Sequence, residues 1–165
     1  MKSILVIIRG NSGSGKTYLA DNLQKYYGYD TCLVLHQDLI RRELLHANDH
    51  EGTPAISMIE NLIIYGMEHY QIIIVEGILR EDVYGQMLQR MIKKYNSLVY
   101  YLDVPFELTL ERDKQKVQSF GESKLKSWWR EKDYLTNEDI ILKENKGKIL
   151  KWKDQIIEDI KKARA

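Results

Sequence analysis

A short glycine-rich segment near the start of the chain has the residue types and the spacing of a phosphate-binding loop. Residues 10–17 read GNSGSGKT and match the pattern G-x-x-x-x-G-K-[ST] at every fixed position. Glycines leave room for backbone N–H groups to turn toward phosphate oxygens, and a following helix adds the partial positive charge of its N-terminus. Lys16 can reach the β- and γ-phosphates, and the hydroxyl of Thr17 can bind Mg²⁺. The predicted contacts with a triphosphate are Gly10, Ser12, Gly13, Ser14, Gly15, Lys16 and Thr17.

A carboxylate and two arginines follow the second apolar run, in the stretch LVLHQDLIRREL. Ligands of an open α/β sheet bind at the carboxyl ends of its strands, so we expect Asp38 to lie beside the phosphate loop. Its carboxylate could accept the proton of a hydroxyl that attacks a γ-phosphate. Arg41 and Arg42, one helical turn later, could bind an anionic or polar substrate. The alternative is that Asp38 caps a helix and both arginines are solvated.

The third apolar run ends in a charged residue, in the stretch IIIVEGILR. Glu76 therefore emerges at the carboxyl edge of the predicted sheet, where it could hold a Mg²⁺-bound water, orient Lys16 or contact the substrate. Asp38 could assist the ion through water instead. Arg80 follows shortly and could face an acceptor substrate. The alternatives are a carboxylate that is paired at the end of its strand and an arginine that is exposed at the start of a helix.

A segment dense in lysine and arginine follows the fourth apolar run. Residues 112–137 have the charge expected of a mobile lid, because a lid that closes over a triphosphate brings cations to the charge that develops during transfer. Arg112 is the predicted catalytic cation, and Arg130 is a more distant candidate. Lys116, one helical turn after Arg112, is predicted to bind the nucleotide. The alternative for most of the lysines is a solvated helix face.

The predicted elements explain how these residues come together. Short apolar runs alternate with amphipathic patterns, which favours an α/β fold with a parallel sheet. Buried strands are predicted at 3–9, 31–36, 71–76, 97–103 and 139–143. Helical spacing of apolar residues occurs in 55–70, in 81–95 and from Ile149 onward. Trp128 and Trp129 are more typical of packing than of a base-stacking platform.

Length and composition narrow the class of protein. A chain of 165 residues suits one domain, and we expect it to span 1–165. The net charge of +1 does not favour nucleic acid as a partner, although it does not exclude it. Cys32 is the only cysteine, which favours a core position and a reducing compartment. The chain starts without the pattern of a signal peptide, and no apolar run reaches the roughly 18 residues of a membrane span. We therefore expect a cytoplasmic protein without a membrane partner, as a monomer or homodimer.

Four stretches together carry a family resemblance. GNSGSGKT, HQDLIRREL, VEGILR and YLDVPFELTLERDK resemble a P-loop kinase of the adenylate-kinase-like superfamily. Within it, they are most similar to the group of zeta toxins, chloramphenicol phosphotransferases and polynucleotide 5′-kinases. The resemblance covers roughly residues 3–145 and implies a P-loop NTPase three-layer sandwich. Its sheet would have five parallel strands in the order 2-3-1-4-5, with helices on both faces and a helical lid.

The resemblance also implies an activity and residue roles. It implies ATP, Mg²⁺ and transfer of the γ-phosphoryl group to a hydroxyl of a small-molecule or nucleotide-like acceptor. Asp38 would be the base, Arg41 or Arg42 would contact the acceptor, and Arg112 would be the lid arginine. The region near Asn145 would border the adenine. The stretch HANDHEG and the short lid depart from nucleoside monophosphate kinases, which puts a nucleotide acceptor in doubt.

Other readings of the motifs make different predictions. A GTPase needs a guanine-reading NKxD, and the sequence NKGK lacks its aspartate. A polynucleotide 5′-hydroxyl kinase would need a basic groove and salt-sensitive binding. A nucleotide-gated regulatory or toxin-like protein would bind ATP without transferring phosphate. His46, His50 and Glu51 form a loop-like cluster without the spacing of a protein metal site.

Overall fold

The computed structural model describes residues 2–143 and 149–165, along which strands and helices alternate. The strands are β1 (Ile4–Gly10), β2 (Cys32–His36), β3 (Ile72–Gly77), β4 (Ser97–Asp103) and β5 (Ile140–Lys143). The helices are α1 (Lys16–Tyr27), α2 (Gln37–Leu39), α3 (Pro54–His69), α4 (Glu81–Lys94), α5 (Phe106–Lys114), α6 (Glu122–Trp128) and α7 (Ile149–Arg164). Each predicted strand is present within one residue at either end. None of the helices in the described part of the chain has the length and apolarity to cross a membrane.

The strands form one parallel sheet in the order β2-β3-β1-β4-β5, as predicted. β1 is central, and all seven of its residues are buried because strands and helices cover it on every side. Glu76 lies in register with Ile8 of β1 and with His36 of β2. The carboxyl ends of the three strands therefore bring the phosphate loop, the start of α2 and the β3–α4 loop to one edge.

Two hydrophobic clusters cover the two faces of the sheet. Alternate residues of β1 point to opposite faces, so that Val6 and Ile8 belong to one cluster and Leu5 and Ile7 to the other. α1 and α7 pack on the first face, and α3 and α4 pack on the second. Cys32 is fully buried in the first cluster, where burial raises the pKa of its thiol to about 12. This confirms its predicted place in the core.

The helical pattern after β2 does not form one regular α-helix. α2 is a single short turn, and it continues directly into a π-helical turn at Ile40–Leu44. The N–H of Leu45 donates to the carbonyl of Ile40 at 3.0 Å, and the N–H of Ala47 donates to the carbonyl of Arg41 at 2.9 Å. The wider turn carries Arg41 toward the loop that follows, where its guanidinium finds partners.

A buried arginine at the end of β1 joins three segments of the chain. The Arg9 side chain is fully buried, and its Nε and Nη2 donate to the carbonyl of Leu79 at 3.0 and 2.9 Å. Nη2 also lies 2.8 Å from the carboxylate of Asp133, and Nη1 donates to the Asp133 carbonyl. Burial lowers the pKa of Arg9, while the charge of Asp133 acts in the opposite direction. The guanidinium therefore fixes the β3–α4 loop and the segment after α6 against the central strand.

Replacing this arginine should destabilise the whole fold. In Arg9→Met the Asp133 carboxylate and two buried carbonyl oxygens lose their partner, which should reduce the free energy of unfolding by about 3–5 kcal/mol. Urea denaturation followed by circular dichroism measures the change. The control is Arg90→Met, because Arg90 pairs with Glu60 at the surface and should contribute less than about 1 kcal/mol. Equal midpoints for the two variants would contradict the role of Arg9.

Candidate active site

The phosphate loop connects β1 to α1 in a conformation that depends on glycine. Gly13 has φ of +80°, and a Cβ there would lie 3.0 Å from the carbonyl oxygen of Thr109. Gly15 has φ of +97° and stands at the N-cap of α1. Other residues rarely adopt such left-handed conformations, so the motif glycines keep the loop folded over the first turn of α1. The N–H groups at this helix start form a site for anions.

Lys16 lies folded over the loop. Its Nζ donates to the carbonyl of Asn11 at 2.8 Å and to the hydroxyl of Ser14 at 3.3 Å. Burial lowers the pKa of Lys16 to about 8, while the charges of Glu76 and Asp38 act in the opposite direction. The ammonium group of Lys16 is therefore held inside the phosphate loop, where the motif predicts that phosphate oxygens bind.

Thr17 and Glu76 lie together as the metal prediction required. The Thr17 hydroxyl donates to Oε1 of Glu76 at 3.0 Å. A hydroxyl and a carboxylate beside a phosphate loop are oxygen ligands of the kind that Mg²⁺ prefers, since Mg²⁺ keeps several waters and binds phosphate at the same time. The pair fits a Mg²⁺ site whose remaining ligands are phosphate and water.

The same carboxylate belongs to a chain of polar groups that sequence reasoning missed. Nδ1 of His36 lies 2.7 Å from Oε1 of Glu76, and Nε2 of His36 lies 3.3 Å from Asp21. The hydrogen bond to Glu76 raises the pKa of His36, while burial acts in the opposite direction. Asp21 lies one turn after Thr17 on α1. The strand-end positions of His36 and Glu76 could have indicated the contact, but only once the β2–β3 register was known.

A cavity of about 370 Å³ lies on the other side of the loop. Ser12 lines this cavity, and so do four of the predicted substrate-binding residues: Asp38, Arg41, Arg42 and Arg80. The fifth, Glu76, lies with Thr17 and is not part of the lining. The side chain of Asp38 is 58% exposed, and Nη2 of Arg41 lies 3.5 Å from its carboxylate. Asp38 is therefore accessible to a ligand in the cavity and oriented by an arginine one turn away.

Asp49, which sequence reasoning did not single out, fixes one wall of the cavity. Its Oδ1 accepts hydrogen bonds from the Tyr84 hydroxyl at 2.6 Å and from the Gln37 amide at 3.3 Å. Nε of Arg41 lies 3.6 Å from the same oxygen, and Nη1 of Arg41 donates to the carbonyl of Ala47. The stretch HANDHEG gave no signal for this contact, because the partners come from β2–α2 and α4.

Two aromatic side chains, Phe120 and Trp128, form a further wall of the cavity, the aromatic wall. The Phe120 and Trp128 rings meet edge to face with centroids 5.0 Å apart. The guanidinium of Arg42 lies 5.6 Å from the centre of the Phe120 ring, and Nζ of Lys116 lies 5.1 Å from it. Trp129 packs on another phenylalanine rather than facing the cavity. Both tryptophans thus pack on a phenylalanine, and Trp128 also lines the cavity.

The remaining predicted cations occupy different positions. Arg112 donates from Nη1 to the carbonyls of Gly13 and Ser14, both at 3.2 Å, so it contacts the phosphate loop directly. With Lys16 and Lys116 it lines a second cavity of about 250 Å³ at the start of α1. Arg80 makes two hydrogen bonds to Asp82, and Arg130 shares that carboxylate at 3.0 Å. Asn145 lies outside the described residues.

A comparison with protein families agrees with this geometry. The sequence model of the family described as "Zeta toxin" matches residues 2–119, more than half of the chain. The chain belongs to the zeta toxin family. This confirms the family resemblance that the phosphate loop and the three later motifs predicted. A search of the curated proteins gave no match.

Solved structures of P-loop kinases share the fold of this zeta toxin family member. An APS kinase from Mycobacterium tuberculosis, in complex with AMPPNP and APS, has a TM-score of 0.71 at 15% identity, with 98% of each chain covered. A gluconokinase from Sinorhizobium meliloti has a TM-score of 0.70 at 13% identity, with 98% of this chain and 92% of that chain covered. A shikimate kinase from Acinetobacter baumannii, in complex with shikimate, has a TM-score of 0.62 at 19% identity, with 97% and 93% covered. These likenesses confirm the predicted fold class.

The contact between Glu76 and His36 can be tested without any ligand. In Glu76→Gln the pKa of His36 should fall, because the hydrogen bond to the Glu76 carboxylate is the largest cause that raises it. Titration of the imidazole resonances by NMR measures the shift. His69, which contacts the carbonyl of Tyr65 instead, supplies the internal control resonances. An unchanged pKa of His36 would show that Glu76 is not its partner.

Proposed function

We propose that this protein is an ATP- and Mg²⁺-dependent phosphotransferase that moves the γ-phosphoryl group to a hydroxyl of a small-molecule or nucleotide-like acceptor. One observation carries the proposal: Ser12 of the phosphate loop and the accessible carboxylate of Asp38 line the same cavity. A phosphate held by the loop would end at this cavity. An acceptor in the cavity would have its hydroxyl between that phosphate and a base, which is the arrangement that transfer requires.

The predicted roles follow from this arrangement. Backbone amides of residues 12–17 and Lys16 bind the phosphates, and Thr17 and Glu76 hold Mg²⁺, partly through water. When bound, the ion would neutralise part of the charge on the phosphates. The acceptor oxygen forms its bond to the γ-phosphorus as the bond from phosphorus to the β-phosphate oxygen breaks. ADP leaves, and the hydroxyl proton passes to Asp38, which Arg41 orients.

The cations around the two cavities have separate roles in this proposal. Arg112 and Lys116, at the start of α1, act on the nucleotide phosphates. Within the predicted lid, residues 112–137, the aromatic wall closes over the acceptor while Arg130 and Asp133 stay anchored. The APS kinase of similar fold is described with AMPPNP, which supports ATP as the donor. The gluconokinase and the shikimate kinase are named for small molecules, which supports an acceptor of that size.

The arginines favour an acceptor that carries a negative charge. Arg41 has two carboxylates nearby, and Arg80 is held by Asp82. Among the described residues, Arg42 makes no ion pair and contacts only the Phe120 ring with its charge. A carboxylate, sulfate or phosphate on the acceptor would give this guanidinium a partner in the cavity.

The decisive experiment combines γ-labelled ATP and Mg²⁺ with a panel of acceptors. The panel contains nucleosides, 5′-hydroxyl oligonucleotides, sugars, hydroxy acids, nucleotide sugars and hydroxyl-bearing antibiotics. The parent should label one acceptor class, and Asp38→Asn should lose about 10²–10⁴-fold in rate while it keeps its affinity for an ATP analogue. Asp30→Asn, which changes an exposed carboxylate, is the matched control and should keep full activity.

Four other results would change the assignment. Equal rates for Asp38→Asn and the parent would remove Asp38 from the role of base. Label on oligonucleotides alone, with binding that weakens steeply with salt, would indicate a polynucleotide 5′-hydroxyl kinase. Tight ATP binding without any labelled product would favour a nucleotide-gated regulatory or toxin-like binding protein. Normal turnover by Lys16→Ala would refute the phosphate-loop assignment itself.

The lowered pKa of Lys16 predicts how nucleotide affinity depends on pH. Phosphate favours the charged ammonium, so binding raises a pKa that is about 8 in the free protein. Below pH 8 Lys16 is charged in both the free and the nucleotide-bound protein, so its contribution to affinity is constant. Above pH 8 binding takes up a proton, and affinity should fall by up to about tenfold per pH unit.

Calorimetry with a non-hydrolysable ATP analogue between pH 7 and pH 9.5 measures this dependence. Two buffers of different ionisation enthalpy give the number of protons taken up at each pH. Lys16→Met should bind the analogue more weakly than the parent. Its affinity should not show this dependence on pH. A constant affinity across the range in the parent would contradict the lowered pKa.

A further inference from the structure

A side chain of the phosphate loop holds the backbone of a distant segment. The Nδ2 amide of Asn11 donates to the carbonyl of Arg130 at 2.7 Å, and the N–H of Arg130 donates to Oδ1 of Asn11 at 2.9 Å. Asn11 is buried, with 7% of its surface exposed. Its amide thus pairs with both backbone groups of one residue, 119 positions away in the chain. Only a side chain with a donor and an acceptor at the same end can make both bonds.

The segment after α6 is held at two further points. Asp133 binds the buried guanidinium of Arg9, and its carboxylate also accepts a hydrogen bond from the N–H of Glu81 at 3.0 Å. The guanidinium of Arg130 lies 3.0 Å from Asp82 at the start of α4. Arg130 is therefore fixed by its own backbone, by its side chain and by a neighbour three residues later.

This anchorage places Arg130 where the loop meets the acceptor cavity. Arg130 and Ser12 line the cavity together, whereas Arg112 lines the second cavity at the start of α1. The carboxylate of Asp82 faces two guanidinium groups, those of Arg80 and Arg130, and can neutralise only one positive charge. Asp82 accepts a hydrogen bond from Nη2 of Arg130, so the other N–H groups of that guanidinium can still donate to an anionic group at the junction.

We propose that Asn11 is a positioning residue that fixes Arg130 at this junction, where the Arg130 guanidinium contacts the phosphoryl group during its transfer. The inference rests on the proposed phosphotransferase function. It adds the cation that faces the equatorial oxygens of the phosphoryl group during transfer. Arg130 donates hydrogen bonds to those oxygens and takes part in no covalent step. Because it is already anchored in the free protein, its charge needs no reorganisation when the reaction begins.

A double-mutant cycle tests whether Asn11 acts through Arg130. Arg130→Ala should lower kcat by about 10²–10³-fold, as the loss of one donor to a transition state does. Asn11→Ala should lower kcat by at least about tenfold and leave the affinity for an ATP analogue within about threefold. The double variant should be no slower than Arg130→Ala, within about threefold. Losses that multiply, or a loss confined to nucleotide affinity, would overturn the inference.

Matched controls separate positioning from general damage. Gln89→Ala removes an amide-to-carbonyl hydrogen bond to Leu135, in the same segment but away from the cavity, and should keep kcat. Asn11→Asp keeps the acceptor for the Arg130 N–H and loses the donor to its carbonyl. Melting temperatures show that each variant is folded. A kcat loss in Gln89→Ala as large as that in Asn11→Ala would indicate a structural effect alone and overturn the inference.

Amide hydrogen exchange tests the anchorage without an acceptor. The Arg130 N–H should be protected in the parent and in Gln89→Ala, and should exchange at least about tenfold faster in Asn11→Ala. Unchanged exchange would overturn the inference even if the rates change. The kinetic assays also measure the hydrolysis of ATP by water. The double-mutant cycle can therefore be completed even when the acceptor has not been identified. A parent without transfer or hydrolysis would refute the proposed function and this inference together, whereas an active parent with multiplicative losses would refute the inference alone.

Discussion

The rest of the site depends on one buried charge at the end of the central strand. Arg9 stands one residue before the phosphate loop, and its guanidinium has no access to water. A buried guanidinium is stable only when carbonyls and a carboxylate surround it. Those partners are Leu79, in the loop between β3 and α4, and Asp133, in the segment after α6. Neither segment belongs to the sheet. The need to satisfy this charge therefore brings to the phosphate loop the two segments that contribute Arg80 and Arg130 to the acceptor cavity.

Parallel strands supply the second constraint, because all of their carboxyl ends meet at one edge. Glu76 lies in register with His36; the Glu76 side chain contacts Thr17 in the first turn of α1, and the His36 side chain contacts Asp21 one turn later. The loop then divides this edge into two regions. One, beside Thr17 and Arg112, suits the phosphates of a nucleotide, and the other, around Asp38, suits an acceptor. An in-line transfer between the two regions would cross the loop at Ser12.

Local patterns in the sequence predicted the strands, their order, the phosphate loop and four residues that share the acceptor cavity. Each of those predictions depends on residues close in the chain or on the rule that strand ends meet. The contacts that were missed join distant positions, such as Asn11 with Arg130 and Gln37 with Asp49. No periodicity encodes them, because a polar side chain that pairs with a distant backbone resembles a solvated one. The π-helical turn was missed for a related reason, since residues with ordinary helical spacing form it.

The two walls of the acceptor cavity differ in how firmly the described contacts hold them. Asp49 is bound by Tyr84 and Gln37, so the polar wall is part of the packed α3–α4 side. The aromatic wall belongs to α6 and the residues before it, where Phe120 packs on Trp128, contacts the charges of Arg42 and Lys116 with its ring, and donates its N–H to Asp113. An acceptor would first meet the fixed polar wall and Asp38, and the aromatic wall could then close on it. Specificity would then arise from charge and hydrogen bonds before closure, which explains how one fold can serve different acceptors while its phosphate loop stays the same.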